Sequence, residues 1–362
     1  MKKIVVSSIG LCHTYGMDLD SFSKTLKNKA TTSSHLLKLG DEAIELELLK
    51  NNDIDKFRRI DRISKISLIS SLSCRNQLDI NLEKYVNDFG VIMSTTYGAV
   101  ASSRNFINSA LKNGAQKASP ILFPFSVPNA ATGVVTIELG VRGFNTTISG
   151  YNSVGYAFDL LKLNRAKGFF VGGCEELTDE FIKLKKNEEL NAKDSVFTSS
   201  PKIAEGSAVM FVTSENFAKE NKLNCLFEIC GYSCTCDHDE KDRIDNFGIA
   251  SKETIYETCY DVLLKNNLNT KDFSLIVSLG YYKCQQQKEE YNAMSKVFGS
   301  NMPEIIYPKS SIGDSFGASG PFNIISGYCY LKDYNILDKY ILINNYEIGG
   351  NISCLVIKNV DT

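Results

Sequence analysis

The feature of this sequence that most constrains its fold is a strand, turn and helix pattern that occurs twice. In the first half, the β-branched stretch 146–148 leads through a tight turn into an amphipathic helical pattern that begins near Ser153. We call this turn, residues 149–153, the first elbow. A second glycine-rich turn, residues 309–320, precedes another helical pattern in the same way, and we call it the second elbow. Two such units predict two similar halves of alternating strands and helices.

The repeat extends to the segments on either side of the elbows. The first strand, 3–8, and the buried strand, 89–94, correspond to strands predicted at 226–231 and 274–280. We therefore predict an α/β fold with two mostly parallel sheets, helices between and outside them, and two halves at 1–220 and 221–362. The remaining predicted strands are 168–173, 208–213, 340–344 and 353–358, and the predicted helices are 19–26, 53–72, 130–139, 253–264, 290–299 and 321–331.

Composition and charge exclude several classes of function. The 362 residues include 43% hydrophobic residues, which is enough to bury a large core. Lys and Arg number 40 and Asp and Glu number 42, so the chain lacks the basic field of a nucleic-acid-binding protein. No apolar run reaches membrane-spanning length, and only a few apolar residues follow the charged start. We therefore expect a cytoplasmic protein with no nucleic-acid and no membrane partner.

The eleven cysteines predict neither a disulfide framework nor a metal site. They are scattered along a chain that begins without a signal peptide, so we expect reduced thiols. Cys230, Cys234, Cys236 and His238 form the one cluster, and its spacing contains no C-x-x-C pair of the kind that zinc sites use. We expect no metal and no cofactor.

Seven motifs in a fixed order carry a family resemblance. A first strand ending in Ser-Ile-Gly is followed by FPFSVPNAATG, GFNTTISGYNSVG, GGCEE, AEGSAVMFV, KSSIGDSFGASG and NNYEIGGN. This order resembles the β-ketoacyl-acyl-carrier-protein synthases of the thiolase fold, over almost the whole chain. The resemblance implies a thiolase-like fold of two βαβαβαββ halves in a five-layered α-β-α-β-α arrangement.

The resemblance also shows which catalytic residues this chain has lost. Active members use a cysteine at the first elbow as the acyl acceptor and two histidines to decarboxylate malonyl-carrier protein and stabilise the enolate and oxyanion. Matching the motifs puts Asn152 at the cysteine, Leu279 at the first histidine and Asp314 at the second. A carboxamide is a poor nucleophile, and a carboxylate would repel an oxyanion. The three histidines, His13, His35 and His238, lie in no motif that could substitute.

These residues also have structural interpretations. Asn152 suits a helix N-cap, Asp314 suits a helix N-terminus, and Leu279 suits core filling. We expect Lys309 to form a structural ion pair with a Glu or with backbone groups. Glu205 could be a catalytic carboxylate, but the resemblance makes it a structural anchor.

Two further regions of interest follow from the resemblance. Active members carry a Gly-Phe gate before the closing double glycine, and the gate positions here are Glu347 and Ile348, which argues against gated acyl transfer. The segment 125–133 is expected at a subunit interface and substrate tunnel. Its candidate residues are Phe125, Val127, Pro128, Asn129, Ala130, Ala131 and Gly133.

The main hypothesis is a chain length factor, the non-catalytic partner of an active ketosynthase in a type II polyketide or aryl-polyene system. Its partners would be that ketosynthase, in a heterodimer, and an acyl carrier protein with malonyl and growing acyl chains. One alternative is a homodimeric enzyme of altered chemistry, a malonyl decarboxylase or thioester hydrolase that uses Asn152 as an oxyanion donor or Cys174 as a displaced nucleophile. Another is a homodimeric protein that binds acyl chains. The sequence leaves open the product, its length and the residues that close the tunnel.

Overall fold

A computed structural model describes residues 2–28, 36–50, 57, 59–183, 202–237, 250–280, 285–347 and 350–360. Ten strands form one hydrogen-bonded sheet in the order β10-β9-β11-β12-β8-β1-β7-β5-β3-β4, and two short strands, β2 and β6, pair separately. The strands are β1 (Ile4–His13), β2 (Leu36–Leu37), β3 (Phe89–Thr95), β4 (Asn145–Ser149), β5 (Gly168–Glu175), β6 (Ile203–Ala204), β7 (Gly206–Ser214), β8 (Phe227–Cys236), β9 (Phe273–Ser278), β10 (Glu304–Ile306), β11 (Tyr340–Tyr346) and β12 (Asn351–Asn359).

The sheet consists of two five-stranded halves with the same topology. They meet where β1 pairs antiparallel with β8. From that junction outward, each half has two antiparallel pairs followed by two parallel pairs. The prediction of two mostly parallel sheets is therefore wrong in its details. β11 and β12 are joined by only four residues, which allows a hairpin but not the long crossover that parallel strands require.

Helices cover both faces of each half. The α-helices are Leu19–Asn28, Asp41–Leu49, Arg62–Asn76, Val100–Asn113, Ala130–Leu139, Ser153–Lys162, Glu215–Glu220, Lys252–Lys265, Gln285–Phe298, Lys309–Ile312 and Ser319–Asp333. Within the described ranges, none of these helices is both long and apolar enough to cross a membrane.

Alternating side chains of the strands divide the core into layers. On β7, Ala208, Met210 and Val212 face a central core that contains the helices Ser153–Lys162 and Ser319–Asp333. Val209 and Phe211 point the other way, into an outer core with the helices Arg62–Asn76 and Ala130–Leu139. A third core lies under the helices Lys252–Lys265 and Gln285–Phe298 in the second half. The layers therefore follow in the order helices, first half of the sheet, helices, second half of the sheet, helices.

The long, strongly periodic elements match the sequence predictions best. The helix Ala130–Leu139 has the predicted bounds, and the helices after both elbows are present at Ser153–Lys162 and Ser319–Asp333. The helix predicted at 53–72 is instead Arg62–Asn76, and residues 51–56 and 58 lie outside the described residues. The helix Val100–Asn113 was not predicted, and none of its residues is buried. The proposed boundary at 220/221 stays a prediction.

Candidate functional site

The first elbow delivers Gly150, Tyr151 and Asn152 to the N-terminus of the helix Ser153–Lys162. Gly150 has φ +112°, and a Cβ atom there would lie 2.4–2.6 Å from the carboxylate of Glu347. The backbone angle favours glycine at this position, and a side chain there would also require the Glu347 carboxylate to move. Tyr151 is buried behind the turn.

Asn152 is the N-cap residue of this helix, as predicted, but its side chain makes no capping hydrogen bond. The side-chain oxygen Oδ1 accepts a 2.5 Å hydrogen bond from the hydroxyl of Ser353, and Nδ2 lies 3.6 Å from Sγ of Cys234. Asn152 therefore ties the first elbow to β12 and β8 of the second half. This side chain supplies no nucleophile, and its carboxamide oxygen is engaged in the scaffold.

The second elbow holds a buried ion pair. Lys309 Nζ lies 3.0 Å from Asp314 Oδ2, and both side chains are 3–4% exposed. Asp314 Oδ1 also accepts hydrogen bonds from the backbone N–H of Phe316 and the hydroxyl of Ser319, at 3.0 and 2.8 Å. Lys309 forms a buried ion pair, as expected, but its partner is Asp314 rather than a Glu. Asp314 accepts a hydrogen bond from Ser319, the first residue of the following helix, and so lies near a helix N-terminus. An acceptor-rich carboxylate held this way cannot donate to an oxyanion.

Tyr151 joins the two elbows, a role that no sequence pattern indicated. Its ring lies 5.7 Å from Lys309 Nζ. A Cβ atom at Gly320, at the end of the second elbow, would lie 2.5 Å from the carbonyl oxygen of Tyr151. Burial raises the pKa of Tyr151 well above its usual value, and the negative charges of Asp314 and Glu347 add to the effect. The fold thus brings the two elbows into contact, as two halves of one site would require.

The third position, Leu279, lies directly after β9 and is 2% exposed. Its backbone N–H donates to the carbonyl of Asn344 at 2.8 Å. Beneath it, Glu290 accepts hydrogen bonds from Ser278 and Asn344 at 2.7 and 3.0 Å. Burial raises the pKa of Glu290. The structure places an apolar, buried side chain at the position that the resemblance matches to the first histidine.

Glu347, the first gate position, folds onto the first elbow. Its Oε1 accepts a 2.6 Å hydrogen bond from the backbone N–H of Tyr151, and its Oε2 accepts one from Asn351 Nδ2 at 3.1 Å. The residue is 8% exposed, and burial raises its pKa. Ile348, the second gate position, lies outside the described residues. The sequence indicated a changed gate here but not that the carboxylate reaches the elbow.

Buried acidic residues fix the loops around the elbows. Glu205 accepts two hydrogen bonds from Arg62 and two from the backbone N–H groups of Leu39 and Leu177, as expected of a structural anchor. Glu175 accepts backbone N–H bonds from 96–98 and from 317, which ties the turn after β3 to the second elbow. Burial raises the pKa of both Glu175 and Glu176 to about 7.

The predicted interface segment forms part of an open groove of about 370 Å³. The groove is mostly apolar, and its exposed rim includes Ile137. Pro128 is exposed beside Gly98 and does not line the groove, and Ala131 is buried in the outer core. The lining residues are Phe57, Ile60, Pro124, Phe125, Val127, Asn129, Ala130, Gly133, Val134, Ile137 and Glu138.

The surface next to this groove is apolar and only partly covered. The helix Val100–Asn113 buries none of its residues, and Ile107 and Leu111 are 54% and 78% exposed. Ile121, Phe123 and Ile137 are between 58% and 78% exposed. The edge strand β4 pairs only with β3 in the described sheet. Contiguous apolar exposure of this kind is typical of a surface that binds another protein.

Comparison with known sequences shows distant relatives along the whole chain. No family model matches. The chain is 22% identical over 364 residues to the 3-oxoacyl-[acyl-carrier-protein] synthase 2 of Staphylococcus aureus (strain COL), covering 92% of this chain and 87% of the relative. A protein of the same name from Synechocystis sp. is 24% identical over 264 residues, covering 65% of this chain and 63% of the relative.

Solved structures identify the fold. The ishigamide ketosynthase/chain length factor superposes with a TM-score of 0.80 at 16% identity, covering 99% of this chain and 100% of the other. A type II polyketide synthase acyl carrier protein in complex with its ketosynthase gives 0.79 at 18%, covering 99% of each chain. A β-ketoacyl synthase from Burkholderia phymatum STM815 gives 0.77 at 16%, covering all of both chains. The chain has the α/β ketosynthase fold of the thiolase type, and the fold prediction is confirmed.

Proposed function

We propose that this chain, which has the ketosynthase fold, is a chain length factor. It is the non-catalytic subunit of a 3-oxoacyl-carrier-protein synthase complex, and it pairs with an active ketosynthase. In that heterodimer it supports decarboxylative condensation of malonyl units on an acyl carrier protein. Its side chains shape the tunnel for the growing acyl chain at the subunit interface. The cytoplasmic location expected from the sequence is part of this proposal.

The observation that carries the proposal is that all three degenerate positions are built into the scaffold. Asn152 bonds to Ser353, Leu279 is packed in the core, and Asp314 is paired with Lys309. An enzyme of altered chemistry would need polar atoms at these positions that are free to contact a substrate. Here the three residues are part of the packing of a ketosynthase fold. This favours a non-catalytic subunit over an enzyme with a changed reaction.

The partner surface is the second support. Ile137 lines the groove, and the exposed side chains of the helix Val100–Asn113 adjoin the segment 121–123 through the contact between Phe106 and Phe123. The edge strand β4 lies beside them, since its Thr147 bonds to Thr132 of the helix Ala130–Leu139 at 2.6 Å. An active ketosynthase of the same fold would cover this surface by pseudo-twofold symmetry. The groove would then become the closed end of a tunnel.

The relatives agree with this role. One structural neighbour is described as a ketosynthase/chain length factor, and another as a ketosynthase bound to an acyl carrier protein and a hexaketide. Both descriptions concern those proteins. For this chain they suggest a ketosynthase and an acyl carrier protein as the first partners to test.

The test is purification from the native host, or co-expression with neighbouring genes, followed by native mass spectrometry. We expect a one-to-one complex with a ketosynthase that retains its cysteine and both histidines. We also expect that the complex condenses malonyl units and that this chain alone does not turn over malonyl-carrier protein. A stable homodimer that turns over malonyl-carrier protein by itself would overturn the proposal and favour altered chemistry at Asn152 and Asp314.

A further inference from the structure

The contact between Glu347 and the first elbow differs in kind from the replacements at Asn152, Leu279 and Asp314. Those three positions lack catalytic groups, whereas Glu347 adds a group to the site. Its carboxylate lies over Gly150 so closely that a Cβ atom there would lie 2.4–2.6 Å from it and would require the carboxylate to move. It also takes the backbone N–H of Tyr151, one of the first donors ahead of the helix Ser153–Lys162. We propose that Glu347 is a built-in blocking carboxylate that occupies the first elbow and keeps thioesters away from it.

Hydrogen bonding shows that the carboxylate is bound there as an anion would be. Both of its oxygens accept from N–H donors, one from the Tyr151 backbone and one from the Asn351 side chain. The bond from the Tyr151 N–H is short, at 2.6 Å, as is typical of a hydrogen bond to a charged acceptor. The partial positive charge at the start of the helix favours the same occupant.

The block acts in two ways. The side chain fills the space above 150–151, where an acyl carbonyl would approach a nucleophile at 152. Its negative charge also opposes a thiolate at the elbow. Cys234 shows this effect, since Glu347 contributes to raising the pKa of that thiol, after burial. A cysteine placed at 152 would therefore meet both an occupied site and a repelling charge.

The inference rests on the proposed function and deepens it. It assigns the absence of acyl transfer at the first elbow to a specific side chain, Glu347, as well as to the missing cysteine. It does not require a partner subunit. It can therefore fail while pairing with a ketosynthase holds, or hold while pairing fails.

The experiment uses an introduced thiol as a reporter of access. Full-length Asn152→Cys is compared with Asn152→Cys/Glu347→Ala and Asn152→Cys/Glu347→Gln. The rate of alkylation by iodoacetamide at position 152 is measured by peptide mass spectrometry. The half-buried native Cys225 serves as the reference thiol in each sample. We expect Glu347→Ala to speed alkylation about tenfold or more. A hydrogen bond to a charged group changes an equilibrium constant by about tenfold or more, here the one between the blocked and the open elbow. Glu347→Gln should give a smaller increase, because it removes the charge and keeps the volume.

Two controls separate blocking from general loosening. Glu290→Gln alters another fully buried carboxylate, away from the elbow, and should leave the rate at position 152 unchanged. Hydrogen exchange on the protein without the introduced cysteine gives an independent measure. There, Glu347→Ala should speed exchange of the Tyr151 amide by about tenfold, because it loses its acceptor. Equal alkylation rates with and without Glu347, or an unchanged Tyr151 amide, would overturn the inference.

Discussion

At the scale of single residues, the three positions that the resemblance matches to catalytic residues are filled according to the chemistry of burial. An isolated carboxylate at Asp314 would be strongly unfavourable at 2% exposure, but Lys309 and two further donors satisfy it. The replacement is therefore tolerated because the second elbow supplies a cation. It also follows that restoring a histidine at 314 alone would leave the ammonium of Lys309 buried without this partner.

Asp314→Asn should destabilise the protein by about 3–5 kcal/mol, because it removes one charge of a buried pair and leaves the other. Lys309→Met should have a comparable effect for the same reason. The double variant Asp314→Asn/Lys309→Met should lose clearly less than the sum of the two. Urea denaturation of all three variants measures this coupling. Additive losses would mean that the two side chains do not act as a pair.

Glu176 predicts a pH dependence. It is 2% exposed, and burial raises its pKa from 4.5 to about 7. The folded state therefore holds this proton more tightly than the unfolded state. Its stabilising effect is complete below pH 4.5 and is lost as pH rises through 7, by roughly 3 kcal/mol. Glu176→Gln keeps an acceptor for the Ala101 N–H and cannot ionise.

The stability difference between Glu176→Gln and the unaltered protein should therefore grow in favour of the variant between pH 5 and pH 8. Denaturant unfolding at several pH values measures it. His13 titrates in the opposite sense, because burial lowers its pKa to about 4. The comparison must accordingly be between variant and parent at each pH. A constant difference across this range would contradict the prediction.

At the scale of elements, the sequence predicted what local periodicity controls and missed what distant contacts control. Apolar spacing located the elbow helices and the buried strands, since their patterns are strong. It could not show that Asn152 would bond to Ser353, 201 positions away, rather than to its own helix. It likewise could not show that Glu347 would reach Tyr151, 196 positions away. Both contacts depend on how the two halves pack, which no local pattern reports.

Two helix glycines give a matched prediction about packing. A Cβ atom at Gly155 would lie 2.0–2.5 Å from the ring of Tyr232 on β8, whereas a Cβ atom at Gly133 would meet nothing within 4 Å. In the isolated chain, Gly133→Ala should stabilise by about 0.5–1 kcal/mol through helix propensity. Gly155→Ala should instead destabilise by about 1–3 kcal/mol through overpacking.

Thermal unfolding of the two glycine variants measures these opposite effects. Tyr232→Ala in the Gly155→Ala background should recover part of the loss that Gly155→Ala causes, because it removes the ring that the new methyl group meets. Effects of the same sign at both glycines would show that packing against β8 does not decide the outcome.

At the scale of the whole molecule, the open groove and the exposed apolar side chains next to it form the surface that we propose a partner covers. Gly133 has free space on the side that lines the groove, although the helix that carries it is otherwise packed. Sequence resemblance predicted this region from a motif, yet it named Ala131, which packs inward, and not Ile137 or Leu111, which are exposed. Exposure depends on the finished fold, so it could not be read from the motif.

If this surface binds an active ketosynthase, a charge placed on it should weaken pairing and leave the fold intact. Ile137→Glu and Leu111→Glu each change a side chain that is 78% exposed, so the stability of the isolated chain should stay within about 0.5 kcal/mol. Burying an unpaired carboxylate in the interface should lower affinity at least tenfold, or about 1.4 kcal/mol. Leu264→Glu, on the outer helix Lys252–Lys265 at 62% exposure, is the matched control. Co-purification and native mass spectrometry should show loss of the partner with the first two variants and retention with the third. Equal retention in all three would place the partner, and with it the acyl tunnel, on another face.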